Sequence, residues 1–261
     1  MHSNQHSPNL PPDIFPPNFE EQLRICEENK KIPSIILTTG SFCPLHKGHI
    51  YSLLDARNFL ESKFPYKVLG IYMSPSNDAY VGHKAKSHSF NKFFLNLKQR
   101  CFLIQLTLDI MIENKEIDQN FFFIDSWEGN KEVFIDFPEV WAVFNESFDR
   151  KYAGFKVFYS LGSDMIARMS IDVHKPKEMP LLVTERFLDK IEKYKKWLID
   201  ENFSEMEQNK IYYCLPSKEY GNFSSTLLRD CIEKNEKMVE ELVFPEVAKQ
   251  IKKFYEENNK K

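Results

Sequence analysis

No stretch of this 261-residue chain approaches the ~20 consecutive apolar residues that a membrane span requires. The opening "MHSNQHSPNLPPDIFPPNFEEQ" also lacks the apolar middle of a signal peptide. The expectation is a soluble, intracellular protein, cytoplasmic or nuclear, with no membrane partner. The five cysteines are scattered and nowhere spaced as CxxC, so neither a disulfide framework nor a structural zinc site is indicated, and no metal ligand set is assigned. A surplus of positive charge is missing too: the formal net charge of -3 argues against a sequence-independent grip on nucleic acid. The chain has no GxxxxGK[ST] loop, which leaves a P-loop nucleoside triphosphatase unsupported.

What is present is an alternation. A polar helix from about Phe19 leads to the apolar, β-branched "SIILTT". Helical spacing follows in "HIYSLLDARNFLES", then the strand "KVLGIYMS", a helix around residues 90–111 and the strand "FFFID". A helix from about Lys131 to Arg150, the strands "FKVFYSLG", "MPLLVT" and "IYYCLP", and two closing helices complete the pattern. Short apolar strands between amphipathic helices predict an α/β domain, Rossmann-like and doubly wound, with a mainly parallel sheet and C-terminal helices. Five prolines in the first 17 residues mark residues 1–18 as a disordered or loosely packed arm, leaving 19–261 as one domain. The Glu/Lys-rich stretch from Asp189 to Lys210 reads as a solvated face or insertion.

Four polar clusters follow strands, where ligands of such sheets gather: "GSFCPLHKGH", "SPSNDAY", "GSD" and "GNFSSTLLR". In the first, Gly40 and Gly48 allow close backbone approach and Pro44 stiffens the turn. A helix starting near Gly48 directs unpaired N–H groups at the loop, a place for an anion beside His46 and His49. In the last, Ser224 or Ser225 is a suitable N-cap, and with Ser224 as cap, Phe223 and Leu228 occupy hydrophobic-staple positions. Arg229, one turn in, offers a planar fork to phosphate oxygens.

"GSFCPLHKGH" resembles the GxFxPxHxGH signature of the nucleotidyltransferase superfamily. "SPSNDAY", "LGSD" and "SSTLLR" are similar to the SPxxDxY, GxD and SSTxxR elements of the eukaryotic-type nicotinamide/nicotinate mononucleotide adenylyltransferases. The resemblance implies an enzyme that joins ATP to nicotinamide or nicotinate mononucleotide, giving NAD or its deamido form and pyrophosphate, with Mg2+ bridging phosphates. It assigns triphosphate contacts to His49 and Arg229, assisted by His46. Gly40, Ser41, Phe42, Lys84, Gly162, Asp164, Ser224, Ser225 and Thr226 become ATP-binding positions, with Lys86 a competitor of Lys84. Ser74, Pro75, Asp78, Tyr80 and Trp127 become acceptor-binding positions, with the Trp127 indole stacked on the pyridine ring. Trp141 has the look of a packed helix residue, and Arg186 is a further candidate. Cys43 departs from the pattern, standing where the group usually has Asn.

Two alternatives stay open. One is another superfamily enzyme, a cytidylyltransferase or a phosphopantetheine adenylyltransferase-like protein; the other is a catalytically inactive nucleotide-binding or chaperone-like relative. A homo-oligomer is compatible with all of these.

Overall fold

The computed structural model describes residues 14–166, 178–185, 210–217, 220, 223–234 and 236–260, without the side chains of Asn91, Asp164 and Ile166. Arg186, residues 1–13 of the expected arm and nearly all of the Asp189–Lys210 stretch lie outside the described residues.

The strands form where β-branched and aromatic residues run together without a break. They are β1 (Ile32–Gly40), β2 (Tyr66–Pro75), β3 (Phe122–Ile124), β4 (Lys156–Gly162), β5 (Leu181–Thr184) and β6 (Ile211–Cys214). Every pairing is parallel, and the order is β3-β2-β1-β4-β5-β6. This is the strand order of the dinucleotide-binding folds, as expected. Both faces of β1 are covered: Ile35 and Leu37 join one core cluster, and Ile36 joins the other. That two-sided burial explains why the strand reads as an apolar run with no alternation.

On the first face, α1 (Phe19–Glu28) buries Phe19, Leu23 and Cys26, and α5 (Phe137–Lys151) buries Val140, Trp141, Phe144 and Phe148. Trp141 is a core residue whose Nε1–H donates to Val157 O at 2.8 Å. On the second face lie α2 (Lys47–Lys63) and α4 (Leu97–Glu113). A third cluster joins α3 (Asp78–Ser87) to α7 (Ser225–Lys234), α8 (Val239–Leu242) and α9 (Pro245–Asn258), which brings the C-terminal helices beside the loop after β1. The short α6 (Ser163–Ile166) follows β4.

Three expectations are corrected. Residues 14–18 of the expected loose arm belong to the packed body: Ile14 is buried, its carbonyl accepts the Tyr72 hydroxyl, and the Phe15 ring lies 5.0 Å from both Phe19 and Phe148. Apolar area outweighs the proline content there. The helix expected from Lys131 begins at Phe137, because Asp136 caps it by accepting Phe137 N–H at 2.8 Å and Pro138 sits in its first turn. The stretch "SPSNDAY", expected as a polar cluster with no helix of its own, runs from the end of β2 into α3, where Asn77 Oδ1 accepts Tyr80 N–H at 2.9 Å as the cap.

Candidate active site

Between β1 and β4 the strand order reverses, and a cavity of about 290 Å³ opens at their C-terminal ends. Crevices at such reversals are where parallel sheets hold ligands. The wall carries Gly40, Ser41, Phe42, His49, Tyr80, Lys84, Gly162 and Ser225, eight sequence-predicted positions of which all but Lys84 come from the four clusters.

The loop after β1 is shaped by close contacts. Phe42 adopts φ 43°, a left-handed conformation costly for an aromatic residue, and its ring folds back over Gly40. A Cβ on Gly40 would stand 3.2 Å from Phe42 Cζ. A Cβ on Gly48 would meet His46 Nδ1 and Phe223 Cβ, both at 3.0 Å, so only glycine admits the C-terminal segment this close to α2. The Cys43–Pro44 peptide is cis.

His46 is the N-cap of α2 and is buried; its ring centroid is 3.7 Å from that of His49. His49 Nδ1 accepts the His46 backbone N–H at 3.2 Å. The same Nδ1 lies 3.3 Å from His46 O, so the His46 backbone holds this edge of the ring and leaves Nε2 as its outer nitrogen. His49 reaches the cavity, whereas His46 sits behind it and orients its partner. Lys84 lies on the wall with Nζ 3.4 Å from Ser41 Oγ; Lys86 does not reach the wall.

The C-terminal cluster divides its labour. Ser224 Oγ accepts Leu227 N–H at 3.0 Å, the predicted cap, and Phe223 and Leu228 share one apolar cluster. Ser225 lines the cavity and donates to Pro44 O at 2.8 Å. Arg229 is not on the cavity wall. It is buried, donates to Cys43 O at 2.8 Å and to Thr226 Oγ1 at 2.9 Å, and lies 4.1 Å from the Phe90 ring centroid. It therefore stands one helical turn beyond Ser225 and clamps the loop from behind.

Cys43 is buried as well, and burial pushes its thiol up, which removes it as a nucleophile. Of the acceptor positions, only Tyr80 lines the cavity. Ser74 Oγ donates behind the wall to carboxylates, Pro75 ends β2 opposite Gly40, and Asp78 accepts Arg100 Nη2 at 2.8 Å. Trp127 is absent from the wall, and Lys131 Nζ already sits 4.4 Å over its ring. Gly162 is on the wall and Asp164 follows in α6, its side chain outside the described set.

Sequence reading missed two groups. Arg100, 0% exposed, donates to Leu95 O, to Ser41 O at 3.1 Å, to Ser76 O at 2.6 Å and to Asp78, tying two wall-forming loops together. Its signal was hidden inside a helix that otherwise reads as core. Glu128, 2% exposed, reaches the cavity, and burial above all pushes its carboxyl up to about 7. Among the described residues no group of three or more His, Cys, Asp or Glu could hold a metal, and no helix is long and apolar enough to cross a membrane.

No family model matches the chain. Over 53 residues it is 42% identical to a nicotinamide/nicotinic acid mononucleotide adenylyltransferase 2 of Danio rerio, a stretch covering 20% of this chain and 17% of that protein. The solved structure of the Plasmodium falciparum nicotinic acid mononucleotide adenylyltransferase complexed with NaAD superposes with a TM-score of 0.57 at 16% identity, over 86% of this chain and 98% of that one. The chain thus resembles mononucleotide adenylyltransferases along one stretch of its sequence and shares their Rossmann-like α/β fold over most of its length.

Proposed function

We propose that this chain is an adenylyltransferase that joins ATP to a pyridine mononucleotide, releasing pyrophosphate. The observation that carries this reading is the meeting of His49, Lys84 and Ser225, from three sequence-distant segments, around the loop Gly40–Phe42 on one cavity wall. Donors so collected suit a triphosphate. An oxygen of the acceptor's 5′-phosphate, already ionised near neutral pH, attacks the α-phosphorus of ATP. One P–O bond forms, the bond from the α-phosphorus to the bridging oxygen breaks, and the electron pair leaves with pyrophosphate.

This chemistry needs alignment and charge neutralisation more than a strong base. The His49 imidazole and Lys84 supply donors to the phosphate oxygens. Ser225 and the N-terminal N–H groups of α2 and α7 add partial positive charge from the protein backbone and hydroxyls. Arg229 acts one step back: by holding Cys43 O it fixes the loop that carries His46 and leads into α2 with His49. Magnesium, held through the substrate's phosphates and water, would supply further neutralisation of the polyphosphate.

Purified protein given ATP with either nicotinamide or nicotinic acid mononucleotide tests the reading. Chromatography should reveal a dinucleotide and equimolar pyrophosphate. Turnover of CTP with choline phosphate, or of ATP with phosphopantetheine, without any pyridine dinucleotide would replace it.

A further inference from the structure

The chemistry above leaves Glu128 without a task, although it is a buried carboxyl on the cavity wall. Its Oε2 is 3.0 Å from Ser74 Oγ, and the same hydroxyl is 3.2 Å from Asp125 Oδ2, so one hydroxyl lies between two carboxylates. Aromatic rings stand around it on the same wall. Phe134 stacks on Tyr80 with centroids 4.4 Å apart, and Phe137 lies 4.9 Å from Tyr159. Asp136 adds a second carboxylate to this part of the wall. Burial first, and then the negative charge of Asp136 and Glu128, pushes up the phenols of Tyr80 and Tyr159, which places both carboxylates near both rings.

The wall is therefore polarised along the sheet edge. Ser41, His49 and Lys84 provide donors near the end of β1, whereas Glu128 and Asp136 enter from the loop after β3, beyond β2 in the strand order. On α3, Lys84 of the donor set is one turn from Tyr80 of the aromatic set, about 6 Å along the axis. Ring faces and carboxylates welcome a flat cation. A carboxylate attached to that cation would meet two negative charges in a site of low dielectric.

We infer that Glu128 sets acceptor choice: with Asp136 and the rings of Tyr80 and Phe134 it selects a pyridinium bearing an uncharged carboxamide over the same ring bearing a carboxylate. The inference rests on the adenylyltransferase reading for its substrate class and specifies which of two acceptors is taken. It also moves ring recognition from Trp127 to Tyr80 and Phe134, because these two line the cavity and Trp127 does not.

The test is calorimetric binding of each mononucleotide to the full-length protein at pH 8.5, with product formation from ATP measured beside it. Wild type should bind nicotinamide mononucleotide at least tenfold more tightly than nicotinic acid mononucleotide, and Glu128→Gln should shrink that ratio at least fivefold, chiefly by tightening the acid. Should that variant misfold, Asp136→Asn and a wild-type titration from pH 8.5 to 6 serve instead. The ratio should fall on acidification as Glu128 takes up a proton. The charged and titratable groups around Glu128 in that titration are Asp125 and Arg100 beside it, with Asp136, Tyr80, Tyr159, His49 and Lys84 on the same cavity wall. Equal or acid-preferring binding by wild type, a ratio unmoved by Glu128→Gln, or a ratio flat with pH would overturn the inference. Selective binding without any product would instead support it while removing the enzymatic reading.

Discussion

His49 and Arg229 look alike as phosphate-binding candidates in the sequence, but their surroundings separate them. His49 faces the cavity, so His49→Ala removes a donor that acts on developing charge and should cut kcat by ~10²-fold or more, at a stability cost of about 0.5 kcal/mol for the lost acceptor of His46 N–H at the start of α2. Arg229 is buried against Cys43 O, and Arg229→Ala leaves that carbonyl without its donor. The second variant should lose turnover by a similar ~10²-fold factor and in addition roughly 1–3 kcal/mol of stability. Equal urea midpoints for the two variants would contradict the division between donor and clamp.

Glu128 yields a pH prediction at the same scale. Its carboxyl rises from an ordinary 4.5 to about 7, chiefly through burial. The folded chain thus favours the protonated form, and this contribution is complete below the unfolded value and lost as pH climbs through about 7. Between pH 5 and 8 wild type should lose roughly 2–4 kcal/mol that Glu128→Gln does not lose. Parallel urea titrations at the two pH values measure the difference; identical slopes in both proteins would refute it.

At the scale of elements, the loop between β1 and α2 is held from three directions. Arg100 of α4 takes Ser41 O, Arg229 of α7 takes Cys43 O, and Ser225 of α7 takes Pro44 O. Arg100→Leu strands the carbonyls of Ser41, Ser76 and Leu95 and the Asp78 carboxylate, and should cost roughly 2–4 kcal/mol, less than a fully buried pair because Asp78 is half exposed. Because both arginines act on one loop, Arg100→Lys and Arg229→Lys should couple in activity by more than about 0.5 kcal/mol in a double-mutant cycle. Strict additivity would show that each clamp works alone.

How legible such elements are in the sequence follows from the range of the forces involved. The strands and most helices could be read because burial on two faces, or on one stripe, writes a periodic pattern into neighbouring residues. The cap at Ser224 and the turn at Gly40–Gly48 were legible for the same reason, since their partners lie close in the chain or in a known motif. Arg100 was not, because its four acceptors lie on several segments and its own neighbours spell an ordinary core helix. Trp127 was assigned to the ring site by motif, and the loop after β3 turned it elsewhere while presenting Glu128 and Phe134 to the cavity. The start of α5 lies six residues later than the pattern suggests, because Phe134 stands three residues before Phe137 and extends its helical spacing past the Asp136 cap.

For the whole molecule, the cavity lies where the first strand, α3 and the C-terminal α7 meet, so a ligand there bridges parts of the chain that unfolding would separate. Anything that binds only the folded state stabilises it, by about 2.7 kcal/mol at a hundred times its dissociation constant. For a chain of this length that corresponds to a rise of roughly 5–10 °C in Tm. ATP with Mg2+ should produce a shift of this size in wild type. AMP, which carries the same base and ribose without the polyphosphate, should produce less than half of it, because His49, Lys84 and Ser225 are collected for phosphate oxygens. His49→Ala and Lys84→Ala should each remove most of the ATP shift and leave the smaller AMP shift in place. If AMP stabilises wild type as well as ATP does, or if both variants keep the full ATP shift, then the donors on this wall do not hold a triphosphate, whatever else binds there.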